Sequence, residues 1–250
     1  MDWILVYAGI LAVLAGVLCM LRPSRLLRIR TRRRAAALTA AGLFLMVIGA
    51  AWPGGRTRPV EHGGLIDALM PVYDFHEVHS KRIHAPPRRI FEAIKSVTPA
   101  DVRFSGTLIG IRRLPARLMG HRPGSNQQMS RPLFGAVTRE DSLRMSEVAD
   151  REMAMWLIGK FWALTRSERP QVTTTRDFLE FDRPDYAKAV INFLIVPESQ
   201  GWCRVSTETR ILATSPGARR KFTFYWRLIY PGSALLRAMF LDAIKRRAEA

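Results

Sequence analysis

Two long runs without a charged side chain constrain this sequence before anything else does. Residues 3–21, WILVYAGILAVLAGVLCML, carry no charge. At a rise of ~1.5 Å per residue, a helix over them spans about 28 Å, close to the hydrocarbon thickness of a bilayer. A second run, residues 35–52 (AAALTAAGLFLMVIGAAW), is nearly as long and richer in Ala. Trp3, Tyr7 and Trp52 stand near the ends, where amphipathic rings favour the headgroup zone. Between the runs, residues 22–34 (RPSRLLRIRTRRR) concentrate seven arginines, Arg22, Arg25, Arg28, Arg30, Arg32, Arg33 and Arg34. A cleavable signal peptide needs its basic region ahead of the apolar run, whereas this chain opens Met1-Asp2 and places the arginines after it. The pattern predicts a transmembrane helical hairpin over residues 1–52, with helices at about 3–21 and 35–52. The competing reading, a buried hairpin in a soluble protein, needs an unusually apolar pair of helices.

A short loop this basic stays on the cytoplasmic side by the positive-inside rule, and the flank after the second run adds only Arg56 and Arg58. The expected protein is a multi-pass cell-membrane protein with loop 22–34 cytoplasmic. Its N-terminus and C-terminal domain are then extracytoplasmic. The loop arginines are expected to lie at the membrane surface, where each gains about 1 kcal/mol against anionic headgroups. The net charge of +18 divides accordingly, since residues 1–58 hold nine Arg and one acid. Of the 39 basic residues 33 are Arg, which reads as a compositional bias of a GC-rich genome, so no nucleic-acid partner is expected. Two cysteines, Cys19 and Cys203, make neither a disulfide framework nor a zinc site.

Residues 53–72 read as a linker, because Pro53, Gly54, Gly55, Pro59, Gly63, Gly64 and Pro71 break any continuous helix; at most one short amphipathic turn, Leu65–Met70, fits there. The domain occupies residues 73–250. His76–His84 alternates as a strand, and Pro87 opens a helix whose apolar positions Ile90, Phe91, Ile94 and Val97 share one face. A second helix is expected over Asp101–Leu118 and a loop over 120–132. Strands follow at Ser142–Val148, Glu152–Ala163, Ala187–Val196 and Trp202–Thr214. In the last of these Cys203, Val205, Thr207, Thr209 and Ile211 face one way, and Trp202, Arg204, Ser206, Glu208 and Arg210 the other. A long helix over 219–248 closes the chain, with Pro231-Gly232 expected to kink or divide it.

The order strand, two helices, several antiparallel strands, long helix resembles the START-like (SRPBCC, helix-grip) superfamily, which includes polyketide cyclase/dehydrase and lipid-transport members. The residues that carry the resemblance are HEVHSKRIHAPPRRIFEAIKSV, GKFW at 159–162 and the closing YWRLIYPGSALLRAMFLDAIKRRAE, within about residues 73–249. The resemblance implies an α+β fold in which an antiparallel sheet wraps the C-terminal helix. It also implies an apolar cavity between them that holds a lipid or other hydrophobic small molecule.

Residues that carry chemistry are sparse. Of five histidines, His76 and His84 fall on one strand face and His79 on the other, while His62 and His121 lie elsewhere, so no metal site is expected. The acidic run Asp177, Glu180, Asp182 and Asp185 lacks EF-hand spacing and is interleaved with Arg176 and Arg183, which reads as a solvated loop. No nucleophile-elbow, phosphate-loop or dinucleotide signature is present, and no cofactor is expected. The expected cavity wall is Ile191, Phe193 and Thr207, opposed by Phe222 and Trp226 of the long helix and joined by Trp156 from the neighbouring strand. Register decides this set, since a slip of one residue turns the wrong side chains inward. The sequence thus favours membrane-anchored binding of a hydrophobic ligand without covalent chemistry. Two rivals stand beside it: a cyclase or hydratase using Glu152, Glu208 or Tyr225, and a structural module of a membrane complex.

Overall fold

The structure, a computed structural model, describes residues 2–21, 31–51, 63–102, 144–163, 170 and 172–250. The chain divides into two compact units, Met1–Gly54 with Thr223–Leu228, and Gly55–Phe222 with Ile229–Ala250.

In the first unit, α1 (Asp2–Leu21) and α2 (Arg32–Ala51) pack through glycine. A Cβ on Gly9 would stand 2.6 Å from the Gly42 carbonyl oxygen, and one on Gly16 would stand 2.9 Å from that of Ala35. Residue 9 meets 42 and residue 16 meets 35, so the helices are antiparallel, and the absent side chains let the backbones close up. Val6, Cys19 and Ala35 are buried, whereas Leu11, Leu14, Leu18, Leu21, Leu43, Phe44 and Val47 are exposed. Helix α2 begins earlier than the uncharged run, so Arg32, Arg33 and Arg34 are exposed residues of its first turn. Arg22, Arg25, Arg28 and Arg30 lie outside the described residues. Among the described residues, whose side chains begin at Leu5 in α1, no helix is long and apolar enough to cross a membrane.

The second unit is α+β. Its sheet has five antiparallel strands in the order β1-β5-β4-β3-β2. They are β1 (Phe75–Ile83), β2 (Arg144–Val148), β3 (Glu152–Gly159), β4 (Ala187–Pro197) and β5 (Cys203–Ala213). Around it lie α3 (Leu65–Leu69), α4 (Pro87–Ser96), α5 (Thr175–Glu180) and the long α6 (Pro216–Glu249), part of which belongs to the first unit. Strand β5 keeps the alternation of its sequence: Cys203, Val205, Thr207, Thr209 and Ile211 are all buried. Left-handed Gln200 and Gly201 turn β4 into β5, and left-handed Asp150 turns β2 into β3.

The sheet is covered on both faces. On one, Met153, Met155, Phe193, Ile195 and Val205 pack with Ile90 and Ile94 of α4 and Leu241 and Ile244 of α6. On the other, Ala154, Trp156, Ile158 and Val190 pack with Ile66 and Leu69 of α3 and Phe178 of α5. Helix α4 starts with Pro87 in its first turn, where a missing N–H costs nothing. Helix α6 is capped by Ser215, whose Oγ accepts from the Ala218 N–H at 3.2 Å, and runs through Pro231 undivided. The short turn expected in the linker is α3. Of the helix expected over Asp101–Leu118, residues Pro99–Asp101 form a single 3₁₀ turn and residues beyond 102 lie outside the described ones, as does the loop 120–132.

The acidic run is not a loop throughout, because Thr175–Glu180 is helical. Thr174 Oγ1 accepts from the Asp177 N–H at 3.1 Å, and Asp177 Oδ2 accepts from the Thr174 N–H at 3.0 Å. This reciprocal cap turns a Thr-x-x-Asp sequence into a helix start.

Candidate functional site

Register assembles the site on the sheet face beneath α6. Glu77 of β1 pairs with Thr209 of β5, Thr209 with Ile191 of β4, and Ile191 with Met155 of β3. One row along, His79 pairs with Thr207, Thr207 with Phe193, and Phe193 with Met153. Residues directly opposite in antiparallel strands share a face at Cβ separations of about 4.5–5.5 Å. Two rows therefore run across four strands, polar over β1 and β5 and apolar over β4 and β3.

The polar half is anchored from above by α6. Ser233 Oγ donates to Glu77 Oε2 at 2.9 Å, and Arg237 Nε donates to the same oxygen at 3.2 Å. His79 Nε2 is 2.8 Å from Glu77 Oε1 and must carry the proton there, since a carboxylate only accepts. Glu77 is 2% exposed, so its charge is held by three donors and balanced by the Arg237 guanidinium. Burial pushes the Arg237 pKa down, and Glu77 only partly restores it. Beside this pair, the hydroxyls of Thr207 and Thr209 are fully buried and have no hydrogen-bond partner among the described residues. An orphaned buried hydroxyl costs about 1–3 kcal/mol, and here two are side by side.

The apolar half is packed at its centre and less deeply buried at its rim. Phe193, Met153 and Met155 are buried in the core, while Leu157, Ile191, Leu236 and Met239 are only partly buried against it. Phe222, expected in the wall, is 1% exposed and packs on Phe75 at 4.9 Å between ring centroids, with Phe161 and Trp162 edge-on at 6.1 and 6.3 Å.

Ile191, Phe193 and Thr207 thus share one face, as the alternation required. Trp156 does not belong with them. It pairs with Val190, one residue out of step with Ile191, so it lies on the opposite face, its ring tilted against that of Phe178 at 4.8 Å between centroids. Trp226 and Tyr225 fall in the segment that belongs to the first unit.

The opposite face carries a second polar network, fully engaged in structure. Arg210, 2% exposed, donates to Glu208 Oε1 at 2.6 Å, to Asp67 Oδ1 at 2.7 Å and to the Met70 carbonyl at 3.0 Å, and lies over the Tyr73 ring. Burial pushes the Glu208 carboxyl up, but bonds from His76 and Arg210 outweigh it and hold the group below its usual range. Burial likewise opposes the Arg210 charge, and the bonds to Glu208 and Asp67 outweigh it to raise that pKa. Glu152, also 2% exposed, accepts from the Leu65 N–H at 2.8 Å and from Asn192 Nδ2 at 2.8 Å. These groups clamp α3 onto the sheet. Glu152 and Glu208, the carboxylates on which a catalytic reading leaned, are therefore bound into the scaffold of the other face.

Sequence reasoning missed Glu77, Thr209, Ser233 and Arg237 as one group. The signal was available in part: Glu77 and His79 alternate onto one strand face, and Ser233 and Arg237 are four apart on one helix face. Their meeting depends on the pairing of β1 with β5, separated by more than a hundred residues. Among the described residues no group of three or more His, Cys, Asp or Glu side chains is placed to hold a metal ion. No protein-family model matches the chain, and no curated protein matches it.

Proposed function

We propose that the domain is a START-like, helix-grip module that binds a hydrophobic small molecule or lipid between the sheet and α6. Its role is carriage, sequestration or presentation of that ligand at a cell membrane, without covalent chemistry. The observation that carries this reading is the graded sheet face beneath α6, apolar over β3 and β4, polar over β1 and β5, and only partly buried at Leu157, Ile191, Leu236 and Met239. Such a face matches ligand sites, which are mostly apolar with a few fixed polar groups. Apolar contact supplies affinity at about 25 cal/mol per Å² buried. The five-stranded antiparallel sheet followed by a long C-terminal helix supports the family resemblance.

The hairpin anchors this module in the bilayer. Its support is the row of exposed leucines on α1 and of Leu43, Phe44 and Val47 on α2, which an aqueous surface does not favour, together with the exposed arginines that open α2. By the charge asymmetry of the sequence, the loop is cytoplasmic and the domain extracytoplasmic.

The test is purification of the full-length protein from membranes, followed by organic extraction and mass spectrometry. The reading expects a co-purifying apolar molecule at near-stoichiometric amount. Protein that carries none, and acquires none from total lipid extract, would leave the structural-module reading in its place.

A further inference from the structure

We propose that Thr207 and Thr209, beside the Glu77–Arg237 pair, form the head subsite of this ligand site and select an uncharged hydroxyl or carbonyl head. The proposal rests on the ligand-binding reading above and names the ligand's chemistry.

Buried polar groups in folded proteins are nearly always paired, so two adjacent orphans on one strand face point to a partner that binds there. A threonine hydroxyl both donates and accepts, so it matches a hydroxyl or a carbonyl equally well. Position fixes the polarity of the whole ligand. Thr207 stands between His79 and Phe193, and Thr209 between Glu77 and Ile191, so the head lies over β5 and the tail runs toward β4 and β3.

Charge then narrows the head. The nearest ionic groups are Glu77 and Arg237, already paired with each other, and His79, already bonded to Glu77. A carboxylate head would leave one uncompensated negative charge beside Glu77 in a buried site, and an ammonium head would compete with Arg237 for it. Both are disfavoured by desolvation. A neutral head satisfies the threonines and leaves the ion pair intact.

The experiment uses the full-length protein in lipid nanodiscs, with empty nanodiscs as the partition blank. It is incubated with an equimolar mixture of tetradecane, 1-tetradecanol, 2-pentadecanone, tetradecanoate and tetradecylamine, and retained probes are quantified by mass spectrometry. The expected result is retention of the alcohol and the ketone roughly ten-fold above the alkane, the acid and the amine, as one or two net hydrogen bonds imply. In the variant T207V/T209V that preference should vanish while tail-driven retention stays. The same variant should unfold no more easily than the parent, because it deletes two orphaned hydroxyls; a thermal melt checks this and shows that the fold survives. Equal retention of all five probes overturns the head subsite and leaves ligand binding standing, whereas retention of none overturns the ligand-binding reading itself. Preferential retention of the acid or amine, or a preference unchanged in T207V/T209V, also overturns the subsite.

Discussion

Replacing Arg210 by Met tests how the second polar network holds α3 to the sheet. The guanidinium is 2% exposed and bonds Asp67, Glu208 and the Met70 carbonyl. Met keeps most of the aliphatic stem but not the guanidinium that lies over the Tyr73 ring, so the loss is of charge, hydrogen bonds and that ring contact. Removing one partner of a buried pair costs about 3–5 kcal/mol, because the other charge is left uncompensated. Glu208 is partly exposed and keeps His76, so the lower end, about 3 kcal/mol, is expected. The pH dependence has a definite sign. In the parent, Glu208 titrates below the ordinary carboxylate range, so its contribution is present above that range and fades as pH falls through the depressed value. Without Arg210 the Glu208 carboxylate loses a group that holds its pKa down, so the stability gap should be widest at neutral pH and narrow as pH falls through the carboxylate range. Urea unfolding of both proteins at several pH values measures the gap, and D67N/R210M should recover part of it. A gap under about 1 kcal/mol, or one that ignores pH, would refute the reasoning.

Three further outcomes follow from named contacts. Gly42→Leu puts a side chain where a bare Cβ already meets the Gly9 carbonyl oxygen at 2.7 Å, so the α1–α2 pair should lose about 1–3 kcal/mol of resistance to denaturing detergent with helicity retained by circular dichroism. Asp101→Asn weakens a carboxylate that accepts from the Thr98 N–H and from Arg247; the Thr98 backbone bond first, then the Thr98 hydroxyl and Arg247, hold that group below its ordinary value. Its contribution is therefore present above the ordinary value and lost as pH falls, and at this exposure the variant should cost no more than about 1 kcal/mol at neutral pH in a urea titration. Glu152→Ala strands the Leu65 N–H and Asn192, and faster amide exchange in residues 65–69 with the β4–β5 ladder unchanged is the expected signature.

The strands and helices of the domain are legible in its sequence because their periods are clean. The sequence of β5 alternates from Cys203 to Ile211, and α4 carries Ile90, Phe91 and Ile94 on one stripe behind Pro87. Period alone does not say which faces meet. Trp156 sits in a strand so apolar on both sides that no alternation assigns it, and only its pairing with Val190 sends it away from Phe193. Arg210 and Glu208 look like solvent-facing residues of β5 until α3, drawn from what reads as a linker, covers them. The Glu77–Arg237 pair joins the first strand to the last helix, a contact that local pattern cannot announce.

Site-directed photo-crosslinking tests the central claim most directly. The photoreactive residue p-benzoylphenylalanine replaces Ile191 in one full-length protein and Trp156 in another, each expressed and irradiated in intact cells. The account predicts a small-molecule adduct at position 191, on the face beneath α6, and none at position 156, on the face closed by α3 and α5. No adduct at 191, or equal adducts at both positions, would contradict it.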